Sequence, residues 1–274
     1  MSVFGTVIKE IRKERKMTQK FLCQNICSQS VLSRIENNDE IPNVLVMQQL
    51  CDRLGVSLDS VMRNERVGVK HMNELFDTMA YYYRKRELRP LFDLLQTKDF
   101  QQYLHLETDM QRYYYYLGYC KFYLLNDGSD ALRDLEQALE FTYHNSKKLV
   151  SNIEIQLLSL IAMVEFSFGN IAVAEKCFRK SLEYFYSLPI ERTHVEFTTV
   201  FYNYGVLLYE TGQFTEAEFQ ICQGISWARQ NESIYYLEDL FLLKSNIYEK
   251  TKRLEEAKQY RKLAGEIVQI REIY

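Results

Sequence analysis

TQKFLCQNICSQSVLSRIE, residues 18–36 of the 274-residue chain, decides the fold of the N-terminal part. Apolar residues recur in this stretch at helical spacing, on both sides of a short break at residues 25–27. Thr18 and Ser28 each stand directly before one of the two apolar patterns, and both residue types cap helix N-termini. The stretch therefore predicts two short helices joined by a tight turn.

Further helices are predicted on both sides of this pair. Residues 4–15 carry apolar side chains on one helical face and charges on the other. Pro42 opens a fourth helical pattern that reaches Leu54, and Gly55 leads into a fifth that ends near Met62. Five helices within about 60 residues indicate a compact helix-turn-helix domain.

Many spaced positions in this region resemble the lambda-repressor/Cro-like (XRE) family over about residues 5–62. The turn Asn25-Ile26-Cys27 departs from the family's usual Leu-Gly-Val and is one residue shorter. In this departure the chain resembles the PlcR-type subgroup of the peptide-responsive (RRNPP/Rgg-like) quorum-sensing regulators. The matching positions are Ile11, Arg12, Arg15, Met17, Thr18, Gln19, Ser28, Gln29, Ser30, Ser33, Arg34, Ile35, Glu36, Pro42, Leu54, Gly55, Val56 and Ser57.

The resemblance implies that the third helix lies in the DNA major groove and that the protein regulates transcription. Gln29 is the expected base reader, because its amide can form two hydrogen bonds with adenine. Arg12 and Glu36 are expected to form a structural ion pair between the first and third helices. The residues expected to contact DNA bases or phosphates are Thr18, Gln19, Ser28, Gln29, Ser30, Ser33 and Arg34.

Charge is distributed unevenly along the chain. Residues 1–66 contain ten Lys/Arg and eight Asp/Glu, whereas the remainder contains 24 and 29, so the net charges are +2 and −5. A basic head on an acidic body is typical of a DNA-binding domain joined to a part that does not bind DNA.

The body is predicted to consist of repeated helical hairpins. The chain has only 10 glycines and 3 prolines, which disfavours a β-rich fold. Four alanines recur at spacings of 43, 43 and 40 residues, and Gly169 and Gly212 each stand five residues before one of them. One hairpin cannot bury its own apolar face, so such repeats stack. The alanines are Ala131, Ala174, Ala217 and Ala257.

Residues 162–178 and 204–217 resemble tetratricopeptide repeats, with weaker copies elsewhere and a degenerate first repeat at 67–98. The predicted fold is therefore all-α, with a five-helix helix-turn-helix domain followed by a right-handed superhelix of about five hairpins. The expected boundaries are 1–65 for the DNA-binding domain, 66–87 for a connecting helix and 88–274 for the repeat domain.

The first helix of each hairpin is expected to line a concave surface. Asparagine there can bond a peptide backbone, arginine or lysine can hold a terminal carboxylate, and aromatic rings can form apolar pockets. Packing between helices is the competing interpretation for each tyrosine. The expected peptide-binding residues are Lys70, Asn73, Arg112, Tyr115, Tyr119, Phe122, Gln156, Tyr202, Asn203 and Asn246.

The resemblance implies a homodimer that binds a pseudo-palindromic double-stranded DNA operator and a short signalling peptide. Peptide can control operator binding only if it binds one arrangement of the repeats better than another. Two alternatives remain open: the repeats bind a protein partner, or the chain is a repeat protein that inhibits or dephosphorylates response regulators.

Enzymatic and metal chemistry are not indicated. The four histidines are far apart, no glycine-rich phosphate loop occurs, and none of the six cysteines forms a CxxC pair, so no cofactor or catalytic residue is expected. The cysteines are interpreted as buried free thiols, with a redox pair of Cys23 and Cys27 as the alternative. Without an apolar leader or span, a cytoplasmic protein is expected.

Overall fold

The structure is a computed structural model that describes residues 4–63, 67–97, 104, 107–144, 147, 150–188 and 194–273. The side chains of residues 14, 60, 63, 67–73, 272 and 273 lie outside this description. Every secondary-structure element in the described part is helical, as the sequence predicted. The chain divides into two compact units, residues 1–78 and 79–274.

The first unit contains five short helices and the beginning of a sixth. Its apolar core is built around Phe4, Ile8, Leu32 and Leu50, all fully buried. These side chains come from three helices, so none of the helices depends on its own hydrogen bonds alone. The helices are α1 (Phe4–Glu14), α2 (Gln19–Cys23), α3 (Gln29–Glu36), α4 (Val44–Leu54) and α5 (Leu58–Arg63).

Side-chain caps fix where α2 and α3 begin. The Thr18 hydroxyl accepts from the Phe21 amide at 3.2 Å, and the Ser28 hydroxyl accepts from the Val31 amide at 3.3 Å. Asn25 in the turn between them has φ +61°, a left-handed conformation that asparagine tolerates. The predicted caps and the predicted turn are therefore confirmed.

The second unit consists of helices that pair with their chain neighbours. α6 (Val67–Lys85) belongs to both units, because the division falls after Thr78. The four C-terminal pairs α8–α9, α10–α11, α12–α13 and α14–α15 each form a closely packed hairpin. The helices are α7 (Leu88–Leu95), α8 (Glu107–Tyr123), α9 (Gly128–Glu140), α10 (Asn152–Ser167), α11 (Ile171–Ser187), α12 (Thr198–Glu210), α13 (Phe214–Gln230), α14 (Leu237–Lys250) and α15 (Leu254–Ile273).

Left-handed residues mark the repeat as the alanines do, and they extend it by one turn toward the N-terminus. Five positive-φ residues stand in the turns that follow α6, α8, α10, α12 and α14, at spacings of 40, 43, 43 and 40 residues. The turn after α6 shares this left-handed conformation. The predicted first repeat therefore contains the same kind of turn as the later repeats. The residues are Arg86, Asn126, Gly169, Gly212 and Lys252.

Small residues lie where paired helices cross. Ala131, Ala174 and Ala217 are fully buried on second helices, and Ala257 is 2% exposed. On α8, a Cβ added to Gly118 would stand only 2.6 Å from Leu135 Cγ on α9. The glycine is therefore required by the close approach of the two helices. In the described part of the chain, no helix is both long enough and apolar enough to cross a membrane.

Candidate nucleic-acid interface and peptide groove

The exposed face of α3 carries the side chains predicted to read DNA. Gln29 and Ser33 are four residues apart, as are Ser30 and Arg34, so the four side chains form two neighbouring rows. Gln29, Ser30 and Arg34 are exposed and Ser33 is half-buried, while Leu32 and Ile35 pack into the core. The α3 helix thus presents a polar surface that two buried residues hold in place.

Several residues of the predicted DNA-contacting set already have partners in the fold. The Gln19 amide donates to Glu36 Oε2 at 2.9 Å, and Arg34 Nε donates to Glu40 Oε2 at 2.7 Å. Ser28 caps α3 and lies 2.9 Å from the Ser30 hydroxyl. Gln19 therefore contributes to the support of α3, and Arg34 would have to exchange an exposed carboxylate for a phosphate.

A buried ion pair ties α1 to the end of α3. Arg12 donates to the two carboxylate oxygens of Glu36 at 2.6 and 2.9 Å, and to the Met17 carbonyl at 2.8 Å. Burial alone would raise the pKa of Glu36, but the hydrogen bonds from Arg12 and Gln19 outweigh it and hold that pKa below its ordinary value. The structural ion pair expected from the family resemblance is confirmed.

A second anchor holds the turn before α3. Arg53, in the last turn of α4, donates to the carbonyls of Leu22 (3.2 Å) and Gln24. These carbonyls lie at the end of α2, where no intrahelical donor remains. The orientation of α3 is thus fixed by Arg12 from one side and by Arg53 through the preceding turn.

In the second unit, five tyrosines from α6, α8, α12 and the residue before α14 form one cluster, here called the tyrosine cluster. The rings of Tyr83 and Tyr119 lie 4.7 Å apart, and those of Tyr202 and Tyr236 lie 5.2 Å apart. The Tyr119 hydroxyl is also a hydrogen-bonding neighbour of Tyr236. Burial raises the pKa of Tyr202 to about 12, with Asp239 and Tyr236 adding to the effect. The cluster consists of Tyr83, Tyr115, Tyr119, Tyr202 and Tyr236.

A chain of hydrogen bonds continues the cluster across three helices. The hydroxyls of Tyr83 on α6 and Tyr115 on α8 lie 2.8 Å apart, and the Tyr115 hydroxyl donates to Gln156 Oε1 on α10 at 3.1 Å. The Asn203 amide donates to the Ser159 hydroxyl at 3.2 Å and is only 7% exposed. Asn203 therefore lies between the packed helices α10 and α12.

Arg86 links the first turn of the repeats to the last hairpin. Its guanidinium donates to Asp239 Oδ1 at 3.0 Å and lies 3.9 Å from the centre of the Tyr236 ring. Burial alone would lower the pKa of Arg86, but the hydrogen bonds that it donates to Asp239 and the charge of that carboxylate raise it overall. Next to Arg86, a cavity of about 200 Å³ is lined by Val195, Ile234 and Tyr235, among others.

A parallel ion pair reinforces this link. Arg84, two residues earlier at the end of α6, pairs with Glu196 at 3.0 Å, just before α12. Arg271 of α15 pairs with Glu238 at 2.9 Å, and both residues line the cavity. The wall of the cavity thus includes three arginines and two carboxylates beside apolar side chains.

The predicted peptide-binding residues have different positions in the structure. Tyr115, Tyr119, Gln156 and Tyr202 come together in or beside the tyrosine cluster, and Phe122 is half-buried on the same helix as Tyr119. Arg112 is exposed near the start of α8. Asn246 accepts from Arg261 of its own hairpin at 3.5 Å. The side chains of Lys70 and Asn73 lie outside the described residues.

Sequence reasoning did not select Tyr83, Arg84, Arg86, Tyr236 or Asp239. A usable signal was present in Tyr81-Tyr82-Tyr83-Arg84-Lys85-Arg86, where aromatic residues run directly into a basic segment before a turn. Arg86 and Asp239 are 153 residues apart, so no local pattern joins them.

Two segments of the chain match known domain families. Residues 8–61 match the helix-turn-helix family model, and residues 238–264 match the tetratricopeptide repeat model. No curated protein sequence matches the chain. The structure is similar to that of Bacillus thuringiensis PlcR in complex with the peptide PapR7 and DNA, with a TM-score of 0.77 and 18% identity over 100% of this chain and 98% of that one.

Two further structures share the architecture. ComR from S. thermophilus, solved with DNA and its signalling peptide ComS, gives a TM-score of 0.63 at 15% identity over 98% of this chain and 94% of that one. The Streptococcus dysgalactiae pheromone receptor Rgg2 gives 0.54 at 14% identity over 97% and 93%. The chain thus combines a helix-turn-helix domain with a tetratricopeptide repeat segment, and its overall fold is that of PlcR, ComR and Rgg2.

Proposed function

We propose that the protein is a cytoplasmic transcription regulator that binds a pseudo-palindromic operator as a homodimer and is controlled by a short signalling peptide. The observation that carries this proposal is the coexistence of two sites in one chain. One is the exposed polar face of α3, and the other is the tyrosine cluster with its arginine pairs in the repeats. The PlcR and ComR structures named above contain DNA and a peptide.

The α3 surface supports DNA recognition. Gln29 and Ser30 stand in the first turn of α3, where both are exposed and neither belongs to the buried core. In helix-turn-helix domains the N-terminal residues of this helix reach base edges. The buried Arg12–Glu36 pair keeps α3 in position, so its backbone has little conformational freedom to lose on binding.

The repeat unit supports peptide binding beside Arg86. A guanidinium that already holds the Asp239 carboxylate and stacks on Tyr236 has the geometry for a peptide carboxylate. The apolar wall of the adjacent cavity accepts a neighbouring side chain. A peptide that takes Arg86 from Asp239 would separate the first turn from the last hairpin, which gives the two arrangements that allosteric control requires.

Calorimetric titration of the full chain tests the peptide site. The ligands are short synthetic peptides from the C-terminal ends of small reading frames beside the gene. Binding that is lost in Arg86→Ala and retained in Arg179→Ala supports the proposal, because Arg179 pairs with Glu175 on an exposed face of α11. If no such peptide binds while a protein partner is retained on the repeats, a protein-binding regulator replaces this proposal.

A further inference from the structure

Lys244 is a buried cation without a carboxylate partner among the described residues. The residue is only 6% exposed on α14, and its Nζ donates to Cys222 Sγ of α13 at 3.1 Å. The ammonium also lies 4.4 Å from the centre of the Tyr260 ring and 5.6 Å from that of Tyr248. A buried charge requires compensating partners, and Lys244 has two hydrogen-bonding neighbours, the Tyr260 hydroxyl and the Cys222 thiol.

The environment of Cys222 differs from that of the other described cysteines. Burial raises the pKa of Cys51, and it raises that of Cys120 to about 12. Burial is also the main cause of the raised pKa of Cys27 and of Cys177. Among the described residues, Cys222 is the cysteine whose sulfur accepts a hydrogen bond from a lysine, and its side chain is half-buried and therefore reachable.

We propose that Cys222 and Lys244 form a peroxide-sensitive pair that cross-links α13 to α14. The thiolate is the nucleophile in thiol oxidation, and the Lys244 ammonium lies 3.1 Å from the Cys222 sulfur, where it can donate to the reacting group. The proposal goes beyond peptide-controlled DNA binding. The structure also corrects the interpretation of all six cysteines as buried thiols, because Cys27, Cys177 and Cys222 are half-buried.

The chemistry balances with one molecule of hydrogen peroxide. The Cys222 sulfur attacks one peroxide oxygen, a sulfur–oxygen bond forms and the oxygen–oxygen bond breaks. The sulfur is oxidised to a sulfenic acid, and the leaving hydroxide takes a proton from the Lys244 ammonium to give water. The amine, now neutral, attacks the sulfur; a sulfur–nitrogen bond forms, and the sulfenic oxygen leaves as a second water.

The cross-link would join the α12–α13 hairpin to the α14–α15 hairpin. Lys244 lies five residues after Asp239 on α14, the helix that Arg86 contacts. A covalent bond from α13 would therefore hold the Asp239 end of α14 in its present position. Oxidation would act on the same part of the repeat unit as the Arg86 link.

Mass spectrometry of the full chain after peroxide titration tests this proposal. The expected product is a Cys222–Lys244 cross-linked peptide that is two hydrogens lighter than the sum of its parts. Cys222 should react about tenfold faster than Cys177, a half-buried thiol that serves as the internal control. In Lys244→Arg, which keeps the charge, the expected product is a dimedone-trapped sulfenic acid at Cys222 with the cross-link lost.

Three results would overturn the pair. Oxidation of Cys222 no faster than that of Cys177 removes the activation by Lys244. Sulfenic acid that persists in the unmodified chain without the lighter cross-linked peptide removes the coupling step. A Cys222 disulfide between two copies of the chain, found at twice the chain mass, assigns the thiol to a different reaction. The folded state of Lys244→Arg is checked by its helical circular dichroism.

Discussion

Arg12 and Glu36, 24 residues apart, form a two-bond ion pair in which the glutamate side chain is completely buried and the arginine side chain is 11% exposed. Glu36→Gln is expected to lower the free energy of unfolding by about 3–5 kcal/mol, because it leaves Arg12 as a buried charge without its partner. Urea unfolding followed by circular dichroism measures the change.

The matched control for this substitution is Glu40→Gln. It breaks the Arg34–Glu40 pair, whose side chains are 52% and 37% exposed. Solvent screens such a pair, so the expected loss is about 0–1 kcal/mol. Equal losses in the two variants would contradict the structural role of the buried pair.

The same pair predicts a pH dependence. The pKa of folded Glu36 lies below its ordinary value of 4.5, so this carboxylate stabilises the fold at pH values above 4.5. That contribution should decrease as the pH falls below 4.5 and through the folded-state pKa. Thermal unfolding from pH 7 (neutral) down to about pH 3 should therefore show a shallower acid decline in Glu36→Gln than in the unmodified chain. Parallel declines would assign the acid sensitivity to other carboxylates.

Base recognition by Gln29 is tested on its operator. Gln29→Ala is expected to weaken specific binding by about 1–3 kcal/mol and to relax the preference at one base pair. Operator selection from random DNA followed by fluorescence anisotropy measures both effects. Gln48→Ala, on α4 where the amide bonds to Asp52, should leave affinity and preference unchanged. Unaltered selectivity in Gln29→Ala would remove this residue from the readers.

Two helical glycines should respond to alanine in opposite directions. In Gly118→Ala the new Cβ would stand 2.6 Å from Leu135 Cγ and 3.2 Å from the Ala131 carbonyl oxygen, so a loss of about 1–3 kcal/mol is expected. In Gly265→Ala no heavy atom of a neighbour lies within 4 Å, and a gain of about 0.5–1 kcal/mol is expected. Thermal denaturation measures the change in stability of each variant relative to the unmodified chain. A stabilised Gly118→Ala would show that α8 and α9 are not closely packed there.

How far the sequence predicted the structure depended on the range of the interaction. Thr18, Ser28 and Asn25 act through bonds to near neighbours, and their roles follow from residue type and position. Gly169 and Gly212 likewise take the positive φ that hairpin turns require. The repeat spacing could be found because small residues must recur where helices cross.

Long-range side-chain partners could not be predicted in the same way. Arg86 was missed because no single residue type marks its left-handed turn position. Glycine fills the equivalent position in two other repeats, but arginine fills it here. Its partner Asp239 stands in a different hairpin, and only stacking of the repeats brings the two together. Asn203 was expected at the concave surface, but in the structure its amide nitrogen bonds to Ser159 within the packed helices.

Peptide-dependent operator affinity tests the central proposal most directly. Short peptides are selected from a random library on the immobilised full chain, and operator binding is then measured by anisotropy with and without them. We expect a peptide that changes operator affinity by about 5–150-fold in the unmodified chain. In Arg86→Ala the peptide effect should be lost, because both the guanidinium that binds the peptide and its link to Asp239 are absent. Selected peptides that bind without changing operator affinity, or no enriched peptide at all, would contradict the coupling of the repeats to DNA binding.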